Sequence, residues 1–254
     1  MGWPADVPAA AHLFVPSAAA LADALDVAGE DGHHLARVLR LRVGETVTVA
    51  DGEGGWRPYR VGGVDGAGGG RAATAVVRLE ATAAPDREPE PALRLAVAFA
   101  LTKGEKPELV VQKLTELGVD RILPVVAERS VSRPQADRAR AAVERWRRIA
   151  REAARQCRRA TLPVVEPIAP LAALAGHPGL VVAERGGSRA PALGDPPGGE
   201  ILVVVGPEGG LAEHEVESLA PWARLDLGPH VLRAETAAIA AAAVLAARAG
   251  SDRR

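Results

Sequence analysis

The sequence predicts an α/β protein with a largely parallel sheet, preceded by a small β-rich domain. Two observations carry the α/β assignment. The short apolar runs at 93–100, 180–183 and 201–205 are the strands of a sheet covered on both faces. Stretches with helical periodicity alternate with them, the order of βαβ units. A third observation sets the N-terminal part apart: before residue 81 the chain shows alternating strands broken by glycine turns.

In chain order, a short helix is expected at 31–41. A strand follows at 45–50, where Glu45-Thr-Val-Thr-Val-Ala50 alternates, then a turn at Asp51-Gly-Glu-Gly-Gly55 and a return strand at 56–61. Another turn at 66–70 leads to a strand at 72–79. These make a small barrel-like domain over 1–80. Residues 81–91 are polar, proline-rich and aperiodic, and are expected to form a linker. The second domain, 92–250, opens on the strand 93–100. A helix at 107–117 has Pro107 in its first turn and Gly118 as its C-terminal cap. A strand at 122–126 precedes a long helix at 137–159, whose apolar face holds Val143, Trp146, Ile149, Ala150, Ala153 and Cys157. Strands at 180–183 and 201–205, a helix at 213–219, a strand at 224–227 and a closing helix at 234–248 complete the series.

Composition narrows the function. With 254 residues, 48% apolar and 25% charged, the chain is that of an ordinary globular protein with a sizeable core. Cys157 is its sole cysteine, so neither an intramolecular disulfide nor a multi-cysteine metal site is expected, and a cytoplasmic compartment fits best. The first residues lack the basic head and apolar run of a signal peptide. The longest apolar tract, 237–247, is short of the roughly 20 residues that span a bilayer. Net charge is −1, yet 121–160 holds twelve arginines against four acids. That points to one polyanion-binding face, or to a solvated helix face with internal Glu–Arg pairs. Of 31 basic residues only Lys103, Lys106 and Lys113 are lysine. Three lysines within eleven positions mark a segment where arginine does not serve, since the two cations differ in geometry and hydration.

Two loops could carry chemistry. The strand at 201–205 runs directly into Gly206-Pro-Glu-Gly-Gly210, where a ligand could approach the backbone; the plain alternative is a tight βα turn. Neither the dinucleotide fingerprint nor the phosphate-loop spacing is present. A second loop, Leu227-Gly-Pro-His-Val-Leu-Arg-Ala-Glu-Thr236, also leaves a strand and feeds a helix, whose free N–H groups face it.

These two loops resemble the C-terminal signature of the bacterial 16S rRNA uridine-N3 methyltransferases. The segment Lys103-Gly-Glu-Lys-Pro-Glu-Leu-Val-Val-Gln-Lys-Leu-Thr-Glu-Leu-Gly-Val119 is similar to that family's central motif. So are Glu128-Arg-Ser130, Arg145-Trp-Arg-Arg-Ile-Ala150, Glu152-Ala-Ala-Arg-Gln-Cys-Arg-Arg159, His34-Leu-Ala-Arg-Val-Leu-Arg40 and Asp51-Gly. The likeness covers roughly 12–248. His12-Leu13 stands where the family usually has arginine, Arg158 where glycine is common and Ala212 where serine caps a helix. The resemblance implies a PUA-like β-barrel joined to a SPOUT domain with a C-terminal trefoil knot. It also implies S-adenosyl-L-methionine (SAM) as cofactor, a homodimer through the SPOUT domain, and 16S rRNA or the small ribosomal subunit as partner, with no metal.

Uridine N3 is protonated near neutral pH, so the enzyme must remove a proton or stabilise the anion. Arg233 and Arg159 are the candidates for the anion, Glu116 and Glu235 for the proton. Ala183, Glu184, Gly206, Pro207, Glu208, Gly209, Gly210, Leu227, Gly228, Val231, Leu232 and Thr236 are the expected cofactor residues. RNA is expected to meet Arg37, Arg40, Lys103, Lys106, Lys113, Arg129 and the helical stripe Arg148, Arg151 and Arg155. The rival readings are a SPOUT enzyme with another target, such as a ribose 2′-hydroxyl, and a non-catalytic RNA-binding dimer.

Overall fold

A computed structural model describes residues 2–65, 75–104 and 106–251. The expected turn at 66–70 and the first residues of the strand expected at 72–79 lie outside them. Contacts divide the chain into two units, Met1–Glu90 with Ala154–Leu162, and Pro91–Ala153 with Pro163–Arg254.

The first unit contains β1 (Ala11–Phe14), β2 (Ala24–Val27), α1 (Gly29–His33), β3 (Thr46–Ala50), β4 (Gly55–Asp65), β5 (Val76–Ala81) and β6 (Asp86–Arg87). Its sheet runs β1-β3-β4-β5-β2, with β6 on β4. Among the described strands of this unit, only β1 and β3 pair in parallel. Inward residues of successive strands, among them Leu13, Val47, Val49, Tyr59, Val61, Val77 and Leu79, close over Leu35 as one core. The helix expected at 31–41 is split. After α1 the chain widens into a π-turn, His34–Val38, with Leu39 N–H donating to the His34 carbonyl, and Arg40 leaves it in the left-handed region at φ 53°. Gly32 holds the start in place, because a Cβ there would stand 2.5 Å from the carbonyl oxygens of Val27 and Ala75.

The linker expected at 81–91 is corrected. β6 joins the sheet, and Glu88 is buried, its carboxylate accepting from the N–H and hydroxyl of Thr161. Residues 154–162, placed by the sequence in the second domain, contribute Ala154 and Ala160 to a cluster with Phe14, Ala50 and Trp56. Polar, proline-rich composition gives no sign of partners this distant in sequence.

The second unit contains β7 (Arg94–Ala100), α2 (Lys106–Glu116), β8 (Arg121–Val126), most of α3 (Ala136–Cys157), β9 (Val164–Val165), β10 (Ala169–Pro170), β11 (Leu180–Ser188), β12 (Glu200–Val205), α4 (Glu213–Leu219), β13 (Ala223–Leu225) and α5 (Ala234–Ser251). The order is β10-β8-β7-β12-β11-β13, with β9 beside β8, and every pair is parallel. The strands are apolar throughout because both faces are covered. Leu95, Val97, Phe99, Ile201, Val203 and Val205 face α2, α3 and α5, where Phe99 meets Trp146 edge-on. Ala96, Ala98, Ala100, Leu202 and Val204 face Leu171, Leu174 and Leu219. After β13, at the sheet's edge, the chain returns to the middle and lays α5 over α2, β7 and β12. No helix among the described residues is long and apolar enough to cross a membrane.

Candidate functional site

Three neighbouring strands, β12, β11 and β13, release their chains at the same end of the sheet, the carboxyl end, where open α/β sheets bind ligands. Their loops enclose a cavity of about 360 Å³, within the range of small-molecule sites. Its apolar walls come from Val182, Val205, Leu211, Leu225, Leu227 and Leu232. Glu184, Arg185, Glu208, Asp226 and His230 supply charged or polar side chains to the lining.

Local chemistry fixes each loop. The 206–210 turn closes through Gly210 N–H, which donates to the Pro207 carbonyl, with Gly210 at φ 70°. A Cβ on Gly206 would stand 3.0 Å from Leu211 Cγ and 3.1 Å from its amide nitrogen, so any side chain there would have to displace Leu211. Arg129 donates to the Gly209 carbonyl at 2.9 Å, and Glu215 accepts from the amides of both Ala212 and Glu128. The loop after β13 starts with Asp226 Oδ1 accepting from Gly228 N–H at 2.8 Å, and that bond holds the Asp226 carboxyl below its ordinary range. β11 extends to Ser188, and Arg185 donates to the Pro229 carbonyl.

Lys106, at the start of α2, lies 3.1 Å from Glu208 Oε1 and 3.4 Å from Glu235 Oε2. The Glu208 carboxyl is held low, first by its own backbone N–H, then by Lys106, with the Arg233 charge adding to it. The Lys106 ammonium is correspondingly raised, by Glu208 first and Glu235 after it.

Of the expected cofactor residues, Ala183, Glu184, Gly206, Pro207, Glu208, Gly210, Leu227, Gly228, Val231 and Leu232 line the cavity. Gly209 and Thr236 do not: Gly209 faces the Arg129 side chain, and Thr236 is exposed on α5. Sequence reasoning missed Arg185 and Asp226, and took the second loop without singling out His230. Asp-x-Gly at 226–228 is a turn signal that marks the first of these loops' residues to follow a strand; Arg185 was lost because β11 was ended at residue 183.

The catalytic candidates separate. Arg233 is exposed and sits between the cavity residues Leu232 and Ala234. Glu235 is half-buried and paired with Lys106. Glu116 is corrected: it pairs with Lys113 at 2.8 Å and lies roughly 15 Å along α2 from Lys106, at 1.5 Å per residue. Arg159 belongs to the first unit, where its carbonyl accepts from His12.

The expected RNA contacts are likewise uneven. Arg40, Lys103 and Arg148 are exposed, whereas Arg37 and Arg151 are half-buried. Lys106 and Lys113 are paired with carboxylates, and Arg129 is bonded to the glycine turn. Arg155 is corrected. Its guanidinium donates to Asp31 at 2.7 Å with the side chain only 18% exposed, so helical spacing placed it on a stripe that its partner removes it from.

Residues 88–246 match the model of the RNA methyltransferase domain, and 27–66 that of the RNA methyltransferase PUA domain. The chain belongs to the RNA methyltransferase family. Among its relatives, ribosomal RNA small subunit methyltransferase E of Mycobacterium bovis is 36% identical over 226 residues, 85% of this chain and 83% of the relative. The Bacillus subtilis protein of the same name is 31% identical over 230 residues, 85% and 87% of the two chains. The crystal structure of a ribosomal RNA small subunit methyltransferase E from Neisseria gonorrhoeae bound to S-adenosyl methionine superposes with a TM-score of 0.77 at 27% identity. It covers 94% of this chain and 97% of that one. The α/β fold with a PUA domain, expected of this RNA methyltransferase from its motifs, is the one observed.

Proposed function

We propose that this protein transfers a methyl group from SAM to N3 of a uridine in 16S ribosomal RNA. The observation that carries the reading is the cavity itself: three loops at neighbouring strand ends, apolar walls, and the carboxylates of Glu184, Glu208 and Asp226 around them. A non-catalytic RNA-binding dimer has no use for it. SAM fits the lining in chemistry. The apolar walls suit a nucleoside, backbone N–H and carbonyl groups of the glycine loops suit its polar edges, and three carboxylates suit a cation.

SAM supplies, when bound, an electrophilic methyl group on a good leaving group. The chain's own residues then have two tasks, to hold the uracil and to manage the N3 proton. Arg233, beside the cavity residues Leu232 and Ala234, stabilises the negative charge that gathers on the uracil oxygens as the proton leaves to solvent. Glu235 and Glu208 share Lys106, and the Glu208 carboxyl is held below its ordinary range, which makes Glu208 a weak base. Arg159 is a second candidate for the anion. Exposed Arg40, Lys103 and Arg148 contact phosphates. A second copy of the chain covers α5 and α2, where Leu109 and Val244 are exposed.

The test is to incubate the protein with SAM and 16S rRNA, free or in the small subunit, and analyse the nucleosides. 3-Methyluridine is the expected product. A 2′-O-methylated nucleoside, or none, overturns the reading.

A further inference from the structure

We propose that Lys106 is a positioning residue of the cofactor pocket: its ammonium clamps the Gly206–Gly210 turn to the first turn of α5 and so sets the cavity's shape. This rests on the reading of the cavity as a SAM site. Lys106 comes from a third element, α2, and its nitrogen reaches carboxylates on the two others, Glu208 at 3.1 Å and Glu235 at 3.4 Å. Glu208 lines the cavity; Glu235 does not, but it follows directly on the loop that does. Without the ammonium, two carboxylates would face one another and drive the turn and the helix start apart.

The residue type supports the same conclusion. This chain writes arginine at 28 of its 31 basic positions, yet lysine here. A planar guanidinium favours one carboxylate, gripped side-on by two parallel bonds. An ammonium has three donors pointing in different directions and can serve two carboxylates on separate elements. The clamp also accounts for a lysine that the motif resemblance assigned to RNA.

The test uses the full-length protein and SAM itself, with calorimetry, hydrogen exchange and RNA binding at several salt concentrations. Lys106→Gln should weaken SAM binding about tenfold or more, the scale of a lost charge-assisted bond, and Lys106→Arg should weaken it less. In the SAM-free protein, exchange should quicken at the amides of 206–210 and 234–237 while those of β7 and β12 hold. Glu235→Gln, which removes one arm from outside the cavity, should shift SAM affinity the same way. The log–log salt slope of RNA binding should not change. Unchanged SAM affinity in a folded Lys106→Gln variant overturns the clamp, as does a salt slope reduced by roughly 0.7 to 0.9, the mark of a lost phosphate contact. If the unaltered protein binds no SAM, the reading of the cavity fails first and takes the clamp with it.

Discussion

His12 Nε2 donates to the carbonyl oxygen of Arg159 at 2.9 Å, a bond between residues 147 positions apart. Its Nδ1 accepts from the Thr48 hydroxyl at 2.8 Å. This pair of bonds uses the neutral ring, and burial, with the charges of Arg158 and Arg155 nearby, lowers the His12 pKa to about 4.

Between pH 6.5 and about 4 the unfolded chain therefore binds a proton at His12 that the folded chain refuses. Stability rises with pH wherever the unfolded state holds more protons, so this contribution falls as the pH drops through that window, by about 3 kcal/mol in all. Urea unfolding at pH 7.5 and pH 4.5 should show the loss, and a His12→Gln variant should show a flatter dependence. Equal slopes for the two proteins would remove His12 from the account.

Much of this architecture is legible in the sequence, for physical reasons. The strands of the parallel sheet are apolar on both faces, so β7, β8 and β12 stand out as unbroken runs. Glycine loops placed directly after such strands hold eight of the ten expected cofactor residues that line the cavity, and Ala183 and Glu184 of β11 are the other two. What stayed hidden depends on partners far along the chain. β1 is four residues long and carries His12, whose partner is Arg159. Arg155 kept its helical register and lost its exposure to Asp31. Glu116 was drawn to catalysis by a motif, while its distance from the cavity is set by the length of α2.

The basic helix is divided by those partners. Arg155→Gln should cost the protein about 1–3 kcal/mol, because it leaves Asp31 without its charge-assisted bond. Arg148→Gln should leave stability within about 0.5 kcal/mol and reduce the log–log salt slope of RNA binding by roughly 0.7 to 0.9. Denaturation midpoints and filter binding measure the two. A stable Arg155→Gln protein would show the Asp31 pair to be worth little.

The glycines of the 206–210 turn should differ sharply. Gly206→Val forces atoms into Leu211 and should weaken SAM binding by about 10-fold to 100-fold. Gly209→Ala places its methyl 3.5 Å from Arg129, an ordinary contact, and should bind SAM as the unaltered protein does. Calorimetry on both variants decides, and equal losses would contradict this description of the turn.

Light scattering should give twice the chain mass of 26.3 kDa. Introducing Leu109→Glu and Val244→Glu together, at exposed positions on α2 and α5, should return a folded monomer. A monomeric unaltered protein would leave α5 covered by its own chain alone.

The central claim is methylation of uridine N3, and the most direct measurement is nucleoside analysis of 16S rRNA from a strain lacking this protein. The account predicts that one 3-methyluridine disappears, while every other modified nucleoside keeps its level, and that it returns when the chain is supplied again. Full retention of 3-methyluridine, or loss of a 2′-O-methylated nucleoside in its place, would contradict it.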